Sequence, residues 1–343
     1  MNMRYIDIRS DTVTLPTQKM REAMYKAEVG DDVYEDDPTV KKLEKLAAEK
    51  VGKKAALFVP SGTFGNELAL FTHTKRGDEV IVDRNSHIVL HEVGASAVIA
   101  GVQLREYISQ NGIPDIDEIN SLIRDEDIHY PPTTLICLEN AHGMGTVVNL
   151  EIMKKIEELA HSKGMKIHLD GARIFNAACA LGVDAKEIAS HVDSVMFCLS
   201  KGLAAPVGSI LAGTKEFILK ARKGRKLMGG GMRQVGFLAA AGIVALEEMV
   251  DRLCEDHENA DLLARSLDEI DEVEVQKDRR DINMVFFRFL VKFDDKEFVS
   301  YMLENGVKIN PPEEGEYRFV TNKDVSREDL EKVVNLVKRF LKS

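Results

Sequence analysis

The sequence predicts an α/β fold in which a large domain carries a mostly parallel sheet between layers of helix, and a small α+β domain follows it. Three observations lead there. Apolar runs such as AALFVP, DEVIVD, TTLIC, MKIHL and SVMFC lack the polar alternation of a strand with one wet face, so both their faces must be covered. Amphipathic helical stretches separate these runs, as crossovers between parallel strands require. Beyond about Met249 the texture changes to a helix, short strands and a last helix, and 343 residues are many for one core. The expected domains are therefore 1–249 and 250–343, with the amino-terminal segment a candidate to fold against the small domain.

Each element has a local reason. In DPTVKKLEKLAAEKVG, Asp37 caps a helix and Pro38 takes its first turn; Val40, Leu43, Leu46 and Ala47 share one face, and Gly52 stops it. AALFVP reads as a strand, and SGTFGNELALF as a tight turn opening a second helix. DEVIVD is the next strand, HIVLHEVGASAVIA a helix, TTLICLEN a strand and LEIMKKIEELAHSKG a helix; MKIHLD and SVMFCLS are strands. QVGFLAAAGIVALEEM is a helix whose small residues let another backbone come close. In the small domain VEVQ, NMVFFRF and GVKIN are strands, and Ser326 with Asp329 has the spacing of a capping box.

Acidic residues outnumber basic ones, 57 to 46, for a formal charge of -11, and the basic residues are scattered. Nucleic acid and anionic membrane are thereby disfavoured as partners. No apolar run reaches membrane-spanning length and MNMRYIDIRSDTVT lacks the pattern of a leader, so a cytoplasmic protein is expected. Cys137, Cys179, Cys198 and Cys254 are far apart and form no CxxC pair; they read as buried thiols.

In open parallel sheets ligands gather beyond the carboxyl ends of the strands. The polar residues there are Ser61, Gly62 and Thr63; His87; Glu139 and Asn140; Asp170 and Arg173; and Ser200 and Lys201. Gly62 and Thr63 open a helix directly after a strand, which suits a phosphate, although a plain turn fits them equally. Asp170 ends an apolar strand and could simply cap the next turn. Lys201 is harder to explain away, because an ammonium at the end of a core strand must be paired, neutral or covalently used.

Phosphate cup, carboxylate and lysine together are the needs of pyridoxal phosphate, whose ring nitrogen wants an acid partner and whose aldehyde wants a Schiff-base lysine. His87 is placed to stack on such a ring or move a proton. No metal site is expected. His87 and His91 lack a clear third ligand, and no carboxylate cluster accompanies His168 and Asp170. His73, His161, His191 and His257 read as solvated or helix-end histidines. The run Asp31, Asp32, Glu35, Asp36 and Asp37 reads as a turn with a wet face.

The motifs RSDTVT, VGDDVYEDDPTV, FVPSGTFGN, RGDEVIVDRNSHI, IHLDGARIFNA, SVMFCLSKGL, PVGS and GGGMRQ resemble, in this order, those of the threonine aldolases. These are fold-type-I pyridoxal-phosphate enzymes of the β-eliminating lyase group. The resemblance spans nearly the whole chain. It implies a lyase that cleaves β-hydroxy-α-amino acids such as L-threonine or L-allo-threonine into glycine and an aldehyde. It further implies Lys201 as the Schiff-base lysine, Asp170 as the ring-nitrogen partner, His87 as the stacking histidine, and Ser61, Gly62 and Thr63 at the phosphate. Arg173 and Arg318 match the arginines that hold the substrate carboxylate, with Ser10 beside them and Tyr34 at the cofactor. Arg233 matches a residue that reaches a phosphate across a subunit interface, which implies a dimer at least and a tetramer by likeness; His129 matches a histidine near the β-hydroxyl. In ENAHGMGTVVNLE the family's threonine is replaced by Ala141 and the loop is shortened, which leaves the substrate side-chain contacts open. The rival readings are β-elimination, transamination or racemisation on the same cofactor, and a non-enzymatic ligand-binding relative.

Overall fold

The computed structural model describes residues 4–342; the outer domain limits at Met1 and Ser343 lie outside them. In chain order the strands are β1 (Ile6–Asp7), β2 (Ala55–Val59), β3 (Glu79–Asp83), β4 (Gln103–Tyr107), β5 (Thr133–Glu139) and β6 (Lys166–Asp170). They continue with β7 (Ser194–Cys198), β8 (Ser209–Gly213), β9 (Val273–Val275), β10 (Met284–Phe289), β11 (Val307–Lys308) and β12 (Tyr317–Val320). The helices are α1 (Gln18–Tyr25), α2 (Pro38–Lys50), α3 (Gly62–His73), α4 (His87–Leu90), α5 (Ile116–Leu122), α6 (Leu150–Ser162) and α7 (Ile174–Leu181). After them come α8 (Ala185–Ser190), α9 (Lys215–Leu227), α10 (Gly236–Glu248), α11 (Leu253–Asp268), α12 (Asp295–Glu304) and α13 (Arg327–Phe340).

Seven strands form the main sheet in the order β2-β8-β7-β6-β5-β3-β4, mostly parallel. Only β8 runs against its neighbours β2 and β7. Because β2 and β7 flank that reversed strand, the carboxyl ends of β2, β3, β5, β6 and β7 all open on one rim. All five residues of β3, β7 and β8 are buried, which explains the apolar run at the centre of each. Two strands of this sheet escaped the sequence reading, as did β1 and β12 elsewhere. SILAG is short and bounded by glycine, and QLREY lies on the sheet edge, where its polar residues stay wet.

The small C-terminal domain has a three-stranded antiparallel sheet, β12-β10-β9, under α11, α12 and α13. Ile6 and Ile8 join its core beside Leu263, Phe287, Phe298, Phe319 and Val333, and β1 pairs in parallel with β11 through Ile6 and Val307. The capping box stands: Ser326 Oγ accepts from the Asp329 N–H while the Asp329 carboxylate accepts from the Ser326 N–H, an arrangement worth about 1 kcal/mol.

Several expectations need correction. HIVLHEVGASAVIA is not one helix: α4 lasts one turn, Val93 and Gly94 take left-handed φ of 58° and 69°, and a separate π turn follows at Ser96–Ala100. Two successive left-handed residues cannot continue a right-handed helix. Cys179 and Cys254 are not thiols but a disulfide joining α7 to α11, with Cα atoms 5.9 Å apart; their separation of 75 positions hides the pairing from the sequence. Cys137 and Cys198 are buried thiols. In the acidic run, Asp32 and Asp37 are buried rather than solvated: Asp32 pairs with the buried Arg225, and Asp37 caps α2 and accepts from the Gly236 N–H. Among the described residues no helix is long and apolar enough to cross a membrane.

Candidate active site

The rim begins where β2 turns into α3. Ser61 caps the helix by accepting from the Phe64 N–H at 3.1 Å, and Gly62 and Thr63 form its first turn, so N–H groups and the positive helix end face the rim. Gly62 is required by packing: a Cβ there would lie 2.9 Å from Cys198 Sγ on β7. β7 ends at Cys198, where its ladder with β8 stops, so Lys201 stands not on the strand but in the turn beyond it. That turn is tied down at the lysine's own carbonyl, which accepts from Thr14 Oγ1 at 2.9 Å and from the Ala204 N–H at 2.9 Å. Lys201 is half-buried rather than sunk in the core, and its ammonium has no hydrogen-bond or ion-pair partner among the described residues.

Asp170, 2% exposed, ends β6 directly beside Glu139 on β5 and Met196 on β7. Its Oδ1 accepts from the Ala172 N–H at 3.0 Å and its Oδ2 from Asn66 Nδ2 at 2.7 Å. Asn66 is a hub on α3. The same Nδ2 also donates to Glu92 Oε1 at 2.8 Å, and its Oδ1 faces His168 Nε2 at 3.2 Å. Glu92 Oε1 in turn lies 2.8 Å from His87 Nδ1, so atoms of His87, Glu92 and Asp170 fall within 4.8 Å of one another. Behind Asn66 the chain continues through His168 Nδ1 to Ser194 Oγ at 2.9 Å and on to His73 Nε2 at 2.7 Å. Burial pushes His168 down to about 3 and His73 down to about 4, so both stay neutral; His73 is therefore a partnered, half-buried group and not a solvated one. His257 is likewise pushed down to about 4 by burial.

A carboxylate cluster therefore does accompany Asp170, contrary to the sequence expectation. Glu67 and Glu92 are each 1% exposed and Glu139 is 8% exposed. Burial, and then Glu92, pushes Glu67 up to about 9. Burial pushes Glu92 up to about 8, with Asp170 adding to the shift and Asn66 opposing it. Glu139 spans two segments: its Oε2 accepts from the His87 N–H at 2.8 Å and its Oε1 from the Gly143 N–H at 2.7 Å. The loop that follows packs inward. Asn140 exchanges two hydrogen bonds with the Val148 backbone, and His142, 1% exposed, lies 3.3 Å from Asp83. His142 is thus buried at the carboxyl ends of β3 and β5, with Nε2 3.9 Å from Glu139.

Arg173 follows β6 and makes a two-toothed pair with the fully buried Asp11, at 2.8 and 2.7 Å. Burial alone would push Asp11 up, but Arg173 outweighs it and holds the carboxylate at about 2. Ser10 caps the short turn Asp11–Val13 by accepting from the Thr12 N–H at 3.2 Å, which presents Asp11 to the arginine. Arg318 comes from β12 of the small domain. It is half-buried, has no acidic partner within ion-pair distance among the described residues, and is pulled down by burial and by the nearby Arg173. Two guanidiniums with one compensating carboxylate leave a net positive charge, a place for an anion.

Three sequence candidates lie elsewhere in their own chain. His129 is exposed on the loop before the amino end of β5, the edge opposite the rim, and contacts Asp127 at 2.8 Å. Arg233 is half-exposed, pairs with Asp31 at 2.9 Å and lies over the exposed Tyr34 ring at 5.8 Å. No described hydrogen bond or ion pair links these three to Asp170 or Lys201. Conversely, the sequence reading missed Asp11, Asn66, Glu67 and Glu92. Asp11 lies inside RSDTVT and the α3 pair follows the SGT turn by one helical turn, so motif position was the available signal.

Comparison with known proteins shows the family. The family model described as beta-eliminating lyase matches residues 7–289. The low specificity L-threonine aldolase of Escherichia coli is 45% identical over 337 residues, covering 98% of this chain and 99% of that one. The low-specificity L-threonine aldolase 1 of Arabidopsis thaliana is 43% identical over 338 residues, 96% and 94% of the two chains. The solved threonine aldolase of Leishmania major superposes with a TM-score of 0.84 at 18% identity, over 98% and 99% of the two chains. With a matched model covering most of the chain and near full-length relatives at this identity, the chain belongs to the β-eliminating lyase family.

Proposed function

We propose that the chain is a pyridoxal-phosphate-dependent carbon–carbon lyase that cleaves L-threonine, L-allo-threonine and similar β-hydroxy-α-amino acids to glycine and an aldehyde. One observation carries this reading: an unpartnered lysine ammonium shares a rim with a buried, hydrogen-bonded aspartate and an uncompensated guanidinium. The residues present fit the cofactor. Gly62 and Thr63 offer helix-end N–H groups to its phosphate, Asp170 offers a carboxylate to its ring nitrogen, and Lys201 offers the amine for attachment. When bound, pyridoxal phosphate supplies the electron sink that makes a bond at the substrate α-carbon breakable.

The chain's own groups choose which bond. Arg318 and Arg173 grip the substrate carboxylate, Ser10 stands beside them through the Asp11 turn, and this fixes the orientation of the α-carbon. His87, with its Nε2 free of any described partner, takes the β-hydroxyl proton, a role worth about 10²–10⁴ in rate. Arg233 and Tyr34, exposed and apart from the rim, serve the site of a second copy, and so does His129; the working assembly is at least a dimer, and a tetramer by family likeness. The division at residues 249 and 250 separates the cofactor-holding part from the part that contributes Arg318.

The reading is tested by measuring glycine and acetaldehyde release from L-threonine, L-allo-threonine and their D-isomers. Release of ammonia and a keto acid instead would transfer the chain to elimination chemistry. Lys201→Ala should lose turnover and lose the cofactor mass that borohydride fixes to the Lys201 peptide. Mixing Lys201→Ala with Arg233→Ala chains should restore part of the activity if sites are shared between copies, and none if each chain is self-sufficient.

A further inference from the structure

The sequence reading assigned nothing to Glu92, yet the fold goes to some trouble to bury it. Val93, a β-branched residue 97% exposed, and Gly94 hold the left-handed turn directly after it, and this turn swings the Glu92 side chain under the rim. There its Oε1 accepts from Asn66 Nδ2 at 2.8 Å and lies 2.8 Å from His87 Nδ1.

The direction of each link follows from the chemistry of its neighbours. The Ala172 N–H can only donate, so Asp170 accepts on Oδ1; on Oδ2 it meets Asn66 at 2.7 Å. Reversing the Asn66 amide would set its carbonyl against both Asp170 and Glu92, so Nδ2 faces the two acids and Oδ1 faces His168 Nε2. Glu92 Oε1 therefore accepts from Asn66, and an oxygen turned to one donor in this way offers its remaining lone pair to His87.

We infer that Glu92 is a positioning residue for His87: its Oε1 holds the imidazole in the Nδ1–H tautomer with Nε2 bare toward the rim, and Asn66 ties that carboxyl to Asp170. The inference rests on the reading of His87 as the proton acceptor given above. It makes the group that holds the cofactor ring nitrogen and the group that takes the substrate proton parts of one hydrogen-bonded unit. Only an acceptor oxygen is needed at position 92, so an amide should serve there and an apolar chain of equal length should not. The burial that pushes Glu92 up to about 8 is consistent with this, since an acceptor oxygen survives in either protonation state.

Two measurements test it. The first uses no variant: ¹⁵N shifts of histidine-labelled protein, with and without cofactor and with His87→Asn as the assignment control, should show the Nδ1–H tautomer for His87 in both forms. A dominant Nε2–H tautomer overturns the inference. The second is a double-mutant cycle. Glu92→Met should lower kcat about tenfold to a hundredfold with KM changed less than about threefold, Glu92→Gln should keep most of kcat, and Glu92→Met should have no further effect in a His87→Asn background. An equal loss in both backgrounds, or a loss with Gln as large as with Met, would show a merely structural role. If His87→Asn itself leaves kcat untouched, the assignment of His87 fails, whereas a normal tautomer and His87 effect with a silent Glu92→Met sink this inference alone.

Discussion

Asp11 and Glu67 are both carboxyls with almost no exposed surface, yet they end in opposite charge states. Asp11 meets the Arg173 fork and is held at about 2; Glu67 meets another acid, Glu92, and is pushed up to about 9. Burial works in the same direction on both, against the anion. The difference is the neighbour, and it teaches that this site is divided into a charged half that grips and a neutral half that positions.

The largest effect should come from spoiling the charged half. Asp11→Asn leaves Arg173 buried without its counter-charge and should cost about 3–5 kcal/mol of stability, measured by urea unfolding at neutral pH. Turnover should suffer mainly through KM, because the arginine loses its fixed direction. A smaller cost would mean that Arg318 and solvent share the load, and the comparison would weaken.

Next is the acid limb of stability. Asp11 titrates near 2 when folded against an ordinary 3.8, so its contribution is complete above about pH 4 and is lost as pH falls toward 2. The folded carboxylate binds protons more weakly than the unfolded one, and the shift corresponds to on the order of 2 kcal/mol. Urea unfolding across pH 2–5 should show that slope in the unmodified protein and not in Asp11→Asn.

Glu67 should behave in reverse. Its folded pKa is raised, so the folded state keeps a proton that the unfolded state releases, and stability falls as pH rises from about 4.5 toward about 9. Glu67→Gln removes that cost. It should raise stability by about 1–2 kcal/mol at pH 9 and change little at pH 5. A stabilisation equal at both pH values would mean that packing, not charge, sets the gain. As a surface control, Glu151→Ala breaks an exposed pair with Lys155 on α6 and should leave Tm unchanged within error.

The charged half was partly legible in the sequence and the neutral half was not. Arg173 follows an apolar strand that ends in Asp170, and Ser61, Gly62 and Lys201 follow strands of the same kind, so strand ends alone pointed to them. Asn66, Glu67 and Glu92 sit on stretches that read as helix surface. GNELALF and LHEVG carry no mark to separate a buried acid from a wet one, since one polar residue on a helix interrupts neither its periodicity nor its caps. His129 and Arg233 matched motifs, yet in their own chain they stand apart from the rim, and a motif does not say which copy of a chain it serves.

By itself the sequence determined most of the alternation of strand and helix, the caps at Asp37 and Ser326, and hence the rim at which a ligand must sit. These depend on residues a few positions apart, where hydrophobic periodicity and backbone capping act. Only the tertiary structure decided which acids are charged and which cysteines are joined. Asp11 reaches Arg173 across 162 residues, Asn66 reaches Asp170 across 104, and Cys179 reaches Cys254 across 75. Coulomb and desolvation energies depend on distance through space, and the order of strands in the sheet is what sets that distance.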